Sequence, residues 1–228
     1  AKSGHINHKY LKESESDKKA VIVVTANRGL AGGYNSNITR MIIDEGFTKE
    51  NTVVYAVGKK GRELLERKGY EIKADYSEAI NEPIYKDAKE ICDDVLSAFA
   101  DGEVGEIYLA YTVFKNTVVH EPQLIRLLPV EADDAAHETD GSEALMTYEP
   151  SEEEALDMII PKYVCSLVYG ALIESVASEN GARMQAMDSA TSNAEEMIST
   201  LSLKYNRARQ ASITQELTEI IAGANAIE

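Results

Sequence analysis

The chain has 228 residues, 44% of them hydrophobic and 27% charged, which suits one good-sized domain or a domain with a long extension and does not suit a disordered tail. Its 39 acidic and 23 basic side chains leave a formal net charge of -16, a field that repels phosphate backbones and anionic head groups and argues against nucleic acid or direct membrane adsorption. No apolar run approaches the roughly 20 residues of a membrane span, and the start lacks the charged-then-apolar layout of a signal peptide. That start, "AKSGHINHKY", has no initiator Met and reads as the interior of a longer protein, with residues 1–20 as a linker from something upstream.

From Val21 to about residue 130, short apolar runs alternate with helical stretches. "VIVVT" (21–25), "TVVYAVG" (52–58) and "EIYLAYTVF" (106–114) are β-branched and aromatic, and read as strands. Between them "NSNITRMIIDEGF", "KKGRELLERKG" and "IYKDAKEICDDVLSAFADGE" place apolar residues three and four apart. The alternation predicts an α/β domain over 21–130 with a Rossmann-like, mainly parallel sheet. "TVVHEPQLIRLLPV" (117–130) adds a strand that Pro122 pushes toward an edge or a bulge. Cys92 reads as a buried small apolar residue, and with Cys165 far off in sequence there is no metal or redox spacing and a reducing compartment fits.

"TANRGLAGGYN" (25–35) follows the first strand, where a phosphate loop would sit. The motifs do not fit one. Gly29, Gly32 and Gly33 have the wrong spacing for the dinucleotide fingerprint, and "VGKKG" (57–61) lacks the hydroxyl that would meet magnesium. The glycines let the chain turn sharply, and Asn35 or Ser36 can cap the next helix. His5, His8, His120 and His137 have no ligand spacing and read as surface or loop histidines. No catalytic set and no cofactor site emerge.

Residues 131–150 form an acidic linker. A capping box at Ser151 and Glu154, followed by glutamates in the first turn, then opens a helix predicted to run to the end at 228 and to bend at Pro161. At 1.5 Å per residue this is a rod on the order of 100 Å. Met187, Ala190, Ala194, Met197, Leu201, Ala208 and Ala211 advance by threes and fours, interrupted at Lys204. That is a coiled-coil seam whose small residues call for a close partner helix. Met184 joins these methionines as core or seam. No matching helix exists earlier in the chain, so the partner is another molecule or a preceding N-terminal segment.

The last turns, "NRARQASITQELTEIIAGANAIE", carry Ile213, Thr214, Glu216, Glu219, Gly223 and Ala224 in the pattern of a known family. They strongly resemble the C-terminal signature of the gamma subunit of the rotary F-type ATP synthase. "ASENGARMQAMDSATSNAEEMI" (177–198), "TANRGLAGGYNSNI" and "YEPS" (148–151) resemble other family segments in the same order, so the likeness covers essentially the whole chain. The resemblance implies a noncatalytic central shaft that couples proton flow to ATP synthesis or hydrolysis. Its long C-terminal helix is half of an antiparallel coiled coil whose N-terminal helix is missing from this chain. The implied partners are the alpha and beta subunits, the epsilon subunit and the membrane c-ring, with no cofactor and no nucleotide bound by this chain itself. The implied location is the cytoplasmic face of the bacterial plasma membrane, peripherally within the complex.

The same resemblance puts contacts with beta subunits at Arg209, Gln210, Thr214, Glu216, Glu219, Arg183, Arg28 and Ala31. Contacts with epsilon or the c-ring fall at Tyr148 and Glu149. Ala31 stands where the family usually has Cys, so a thiol there is not essential. No Cys-pair insertion supports redox gating. Two other readings stay open on residues alone: a nucleotide-binding α/β enzyme with a helical oligomerisation arm, and a homodimeric coiled-coil adaptor.

Overall fold

The computed structural model describes residues 8–11, 16–130 and 151–226. In chain order the elements are β1 (Lys19–Val24), α1 (Tyr34–Asp44), β2 (Thr52–Val57), α2 (Lys59–Arg67), β3 (Glu71–Asp75), α3 (Tyr85–Ala100), β4 (Glu106–Phe114), β5 (His120–Leu128) and α4 (Glu152–Asn225). The five strands form one sheet in the order β3-β2-β1-β4-β5. The pairs β1–β2, β1–β4 and β2–β3 are parallel, and β5 alone runs antiparallel, against β4. The expected mainly parallel α/β sheet is therefore present, with Pro122 on the edge strand β5, opposite Thr112.

The centre of this sheet is β1. A strand buried on both faces needs apolar residues at successive positions rather than in alternation, and "AVIVV" supplies them, every one fully buried. Val21 and Val23 join Ile38, Ile42, Val54 and Leu65 under α1 and α2. Ala20, Ile22 and Val24 face the other side, where Ile91 and Val95 of α3 and Val164, Val168 and Leu172 of α4 close the larger core. Lys19 extends the strand's start, and its Nζ lies 2.8 Å from Glu106 Oε2 on β4.

The chain forms two compact units, Ala1–Gln185 and Ala186–Glu228. The first holds the sheet, α1 to α3 and the part of α4 up to Gln185. The second holds the rest of α4, where every residue from Met187 to Ala226 is exposed.

Several expectations change. The "EIKAD" segment, unassigned from sequence, is edge strand β3, with alternately exposed and half-buried residues. Residues 8–11 are not a bare linker, because Tyr10 packs in the larger core and Val130 N–H reaches Tyr10 O at 3.3 Å. His8 is no surface histidine. It is 2% exposed, accepts the Tyr10 N–H at Nδ1, and sets Nε2 3.2 Å from Asp157 Oδ1. Ser151 does cap α4, accepting the Glu154 N–H at 3.2 Å, and the helix continues through Pro161. Against the expectation from sequence, this helix is long and apolar enough to cross a membrane by length and composition, with an 18-residue window of mean hydropathy 1.5. Cys92 and Cys165 are both buried and free, and burial pushes the Cys92 thiol far up from its ordinary range. His5, His137 and the acidic linker 131–150 lie outside the described residues.

Gly58 is the most constrained position. Its φ is +120°, and a Cβ there would fall on the carbonyl oxygen of Thr25, a backbone atom that cannot move aside. Gly58→Ala is expected to cost about 2–4 kcal/mol, through a strained φ and a backbone clash together. The urea unfolding midpoint of the purified chain checks this, and an unchanged midpoint would refute it.

Candidate functional site

The strand order changes its direction of growth between the parallel strands β1 and β4. Ligands of open α/β sheets occupy the crevice beyond the carboxyl ends of such a pair. This is where "TANRGLAGGYN" begins, and its first polar groups are bonded within the chain. Thr25 Oγ1 accepts the Gly61 N–H at 2.9 Å, Asn27 Oδ1 accepts the Lys59 N–H at 3.0 Å, and Ala26 O accepts the Lys60 N–H at 3.0 Å. The first-turn donors of α2, the groups a phosphate would seek, are thus bonded to the loop itself. The one hydroxyl among these acceptors belongs to Thr25, just past the end of β1, and is taken up by the Gly61 amide.

Asn35 and Ser36 do not cap α1 with their side chains. Its N-cap is Gly33, with no side-chain cap bond. Asn35 Oδ1 accepts the Ala26 N–H at 2.8 Å and ties the helix back to the strand, while Ser36 Oγ donates to Gly33 O at 3.0 Å. Positive φ in the loop falls on Gly32 (56°) and, less expectedly, on Leu30 (63°), and not on Gly29 or Gly33. Leu30 is 75% exposed at the loop's tip. An apolar side chain held outward on a left-handed residue suits a contact surface better than a turn alone.

On the β4 side of this crevice the partner is α4. Tyr34 Oη donates to Ser175 O at 3.0 Å, Ser178 Oγ donates to Thr112 O at 3.2 Å, and the Thr112 N–H points at Ser175 Oγ from 3.5 Å. Ser175 and Ser178 are both fully buried. Burial in this polar seam drives the Tyr34 phenol far above its ordinary range, so it stays a donor. Arg183 Nη2 reaches Gly29 O at 3.3 Å and pairs with Glu179 at 2.7 Å. Gly181 lies against the β4–β5 hairpin, where an added Cβ would stand 2.5 Å from His120 Nε2.

Two residues expected to meet a partner are thereby brought together. Arg28 and Arg183 line one polar cleft of about 640 Å³ with Glu78, Glu82, Glu179 and Asn180. Arg183 is already engaged by Glu179 and Gly29, whereas Arg28 stands exposed. Ala31, expected beside them, is corrected: at 3% exposure it packs with Ala26, Tyr34 and Ala182, so its side chain is not on offer to a partner. Tyr148 and Glu149 lie outside the described residues. Among the described residues no group of His, Cys, Asp and Glu could hold a metal ion.

In the second unit, Arg209, Gln210, Thr214, Glu216 and Glu219 are all exposed along α4. Thr214 Oγ1 donates to Gln210 O and Thr218 Oγ1 to Thr214 O, each at 2.8 Å, and Gln215 Nε2 donates to Glu219 Oε1 at 2.9 Å. The seam residues Met187, Ala190, Ala194, Met197, Leu201, Ala208 and Ala211 are exposed as well, with Met197 at 65% and Leu201 at 63%. Met184, in the first unit, is 58% exposed.

The family model described as ATP synthase matches residues 1–227. The chain is 66% identical over 232 residues to the ATP synthase gamma chain of Lachnoclostridium phytofermentans, covering 99% of this chain and 80% of that protein. It is 43% identical over 226 residues to the ATP synthase gamma chain of Alkaliphilus metalliredigens, covering 98% and 78%. With the sodium ion specific gamma chain of Acetobacterium woodii the identity is 42% over 242 residues, covering 99% and 80%. Among solved structures, a chain of the Euglena gracilis mitochondrial ATP synthase in rotational state 3 shares the fold, with a TM-score of 0.70 at 20% identity, covering 100% of this chain and 81% of that one.

With Thr112 bonded to α4 and the first turn of α2 bonded internally, titration calorimetry with Mg-ATP or NAD is expected to show no saturable micromolar binding to the isolated chain. Saturable binding would restore the reading as a nucleotide-binding enzyme.

Proposed function

This chain belongs to the ATP synthase gamma-chain family, and we propose that it serves as the noncatalytic central-stalk rotor that couples proton flow through the membrane sector to ATP synthesis or hydrolysis. It is a subunit of that complex, and the chemistry belongs to its neighbours. The contribution of this chain is mechanical: an asymmetric helix biases the conformations of surrounding subunits through contacts that differ from state to state.

The observation that carries this reading is the uninterrupted exposure of α4 from Met187 onward, apolar seam included. An apolar helix surface of this length is stable in water only with something against it. The seam residues are assigned to a partner helix in a coiled coil, and the remaining faces to a surrounding ring of alpha and beta subunits. Arg209 and Gln210 are the leading contact residues, because a guanidinium makes forked bonds to carboxylates and a carboxamide both gives and accepts. Thr214, Glu216 and Glu219 follow on the same helix. On the first unit, Arg28 and the tip of its loop are assigned to a beta subunit, with Arg183 fixing the loop from behind. Tyr148 and Glu149 are assigned to epsilon or the c-ring. The rotor reading assigns the chain to the cytoplasmic face of the plasma membrane, held there through its partners.

Replacing Arg209 and Gln210 together with Ala is expected to lower ATP synthesis by the reconstituted complex roughly tenfold, the worth of one or two charge-assisted hydrogen bonds. The helicity and unfolding midpoint of the isolated chain should not move. Unchanged turnover and coupling would remove both residues from the mechanism.

A further inference from the structure

A shaft that carries turning force must not slip where it is held. Most of the contact between α4 and the sheet is apolar, through Val164, Val168, Ala171 and Leu172, and apolar burial is non-directional. Such a stripe resists separation far better than it resists a roll about the helix axis or a slide along it. Directional bonds are what select one register.

Asp157 and Arg183 make such bonds from α4 at partly exposed positions, to His8 and Lys9 and to Gly29 O, while the buried ones meet around Thr112. Beyond Val24 the strand β1 has ended, while β4 continues to Phe114. A strand residue directs its N–H and C=O to the same side, and both groups of Thr112 meet α4: the N–H at Ser175 Oγ, the C=O at Ser178 Oγ. Across β4, Thr112 faces Pro122, which has no N–H to offer. Ser175 and Ser178 stand three apart, on one face of the helix, and grip a single peptide residue from its two polar ends. Tyr34 adds a third bond from α1, to Ser175 O. All of these groups are buried, where a misplaced donor or acceptor has no water to fall back on.

We infer that Ser175 and Ser178 are register pins, positioning residues that fix α4 along and about its own axis on the sheet so that turning force passes between them without slip. A slide by one residue along α4 moves the hydroxyls about 1.5 Å and turns them about 100°, which breaks both bonds at once. The pinned register follows from the contacts themselves. Its mechanical use rests on the rotor reading above.

The test has two readouts. Nitroxide labels placed by Lys49→Cys and Met184→Cys, the native thiols being buried, report the distance between the α1–β2 loop and α4 in the full chain. The unmodified serines should give one narrow distance, and the Ser175→Ala, Ser178→Ala pair a broadened or displaced one, with Thr at both positions restoring it. In the reconstituted complex the Ala pair should pump fewer ions per ATP hydrolysed, by about twofold or more. A general loss of stability would lower the amount of complex and leave that ratio alone. If the double variant does not fold, Ser178→Ala combined with Tyr34→Phe removes two of the three bonds and gives the same comparison. A narrow, unmoved distance in the Ala variants would overturn the pins. A broadened distance with an unchanged ratio would overturn their role in carrying force. Failure of the unaltered chain to support any coupling would instead strike the rotor reading, and the distance result would still decide the pins.

Discussion

A buried backbone donor and acceptor have to be bonded to something, and in this protein that requirement arises where β1 and β4 part company. Parallel sheets of this order always leave such a gap beside the central strand. In a nucleotide-binding relative of the architecture, a ligand and its waters would share the work of filling it. Here the chain's own helix bonds the strand groups left over, and Thr112, Tyr34, Ser175 and Ser178 are bonded among themselves. Much else in the first unit follows from that choice. The loop after β1 turns inward to serve α2, Ala31 goes under cover, and Arg183 closes over Gly29.

The two units solve opposite problems. In the first, apolar surface is buried within the chain, and β1 loses contact with water on both faces. In the second, apolar side chains at coiled-coil spacing are left uncovered. A chain that invests so much in one core and leaves the other half of a long helix bare is shaped for assembly, as its family membership implies. The acidic balance of -16 fits the same picture, favouring polypeptide neighbours over phosphate backbones.

The sequence made most of this fold legible, and its misses have physical causes. The strands β1, β2 and β4 and all four helices announce themselves by period, because burial on one or two faces writes itself into spacing. The strand β3 does not: "EIKAD" lies on an edge, with charged residues at every second position, a composition that protects an edge and hides a strand. Asn35 was read as a helix cap because local sequence favours that use, but the Ala26 amide, nine residues back, competes better for its oxygen. The family resemblance points Ala31 toward a partner with the rest of its loop, yet a side chain this small turns under the loop while its neighbours face out. Ser175 and Ser178 gave no signal, since two serines on a polar-looking stretch of helix resemble any solvated pair, and the residue they hold lies more than 60 positions away. The residues of the C-terminal signature were legible only through resemblance, as exposed positions without a partner leave no period to read.

The threonines near the end of α4 bear on how such a helix would behave beside a neighbour that moves past it. Thr214 and Thr218 have already given their hydroxyl protons to carbonyls one turn back. What they turn outward is a methyl group and oxygen lone pairs, with no free O–H seeking an acceptor. The energy of a contact made by such a surface varies gently with angle, because it lacks the sharp minima that a freely donating hydroxyl would set at each acceptor it passed. At these two positions a passing neighbour would meet shape and lone pairs, with no donor bond to break.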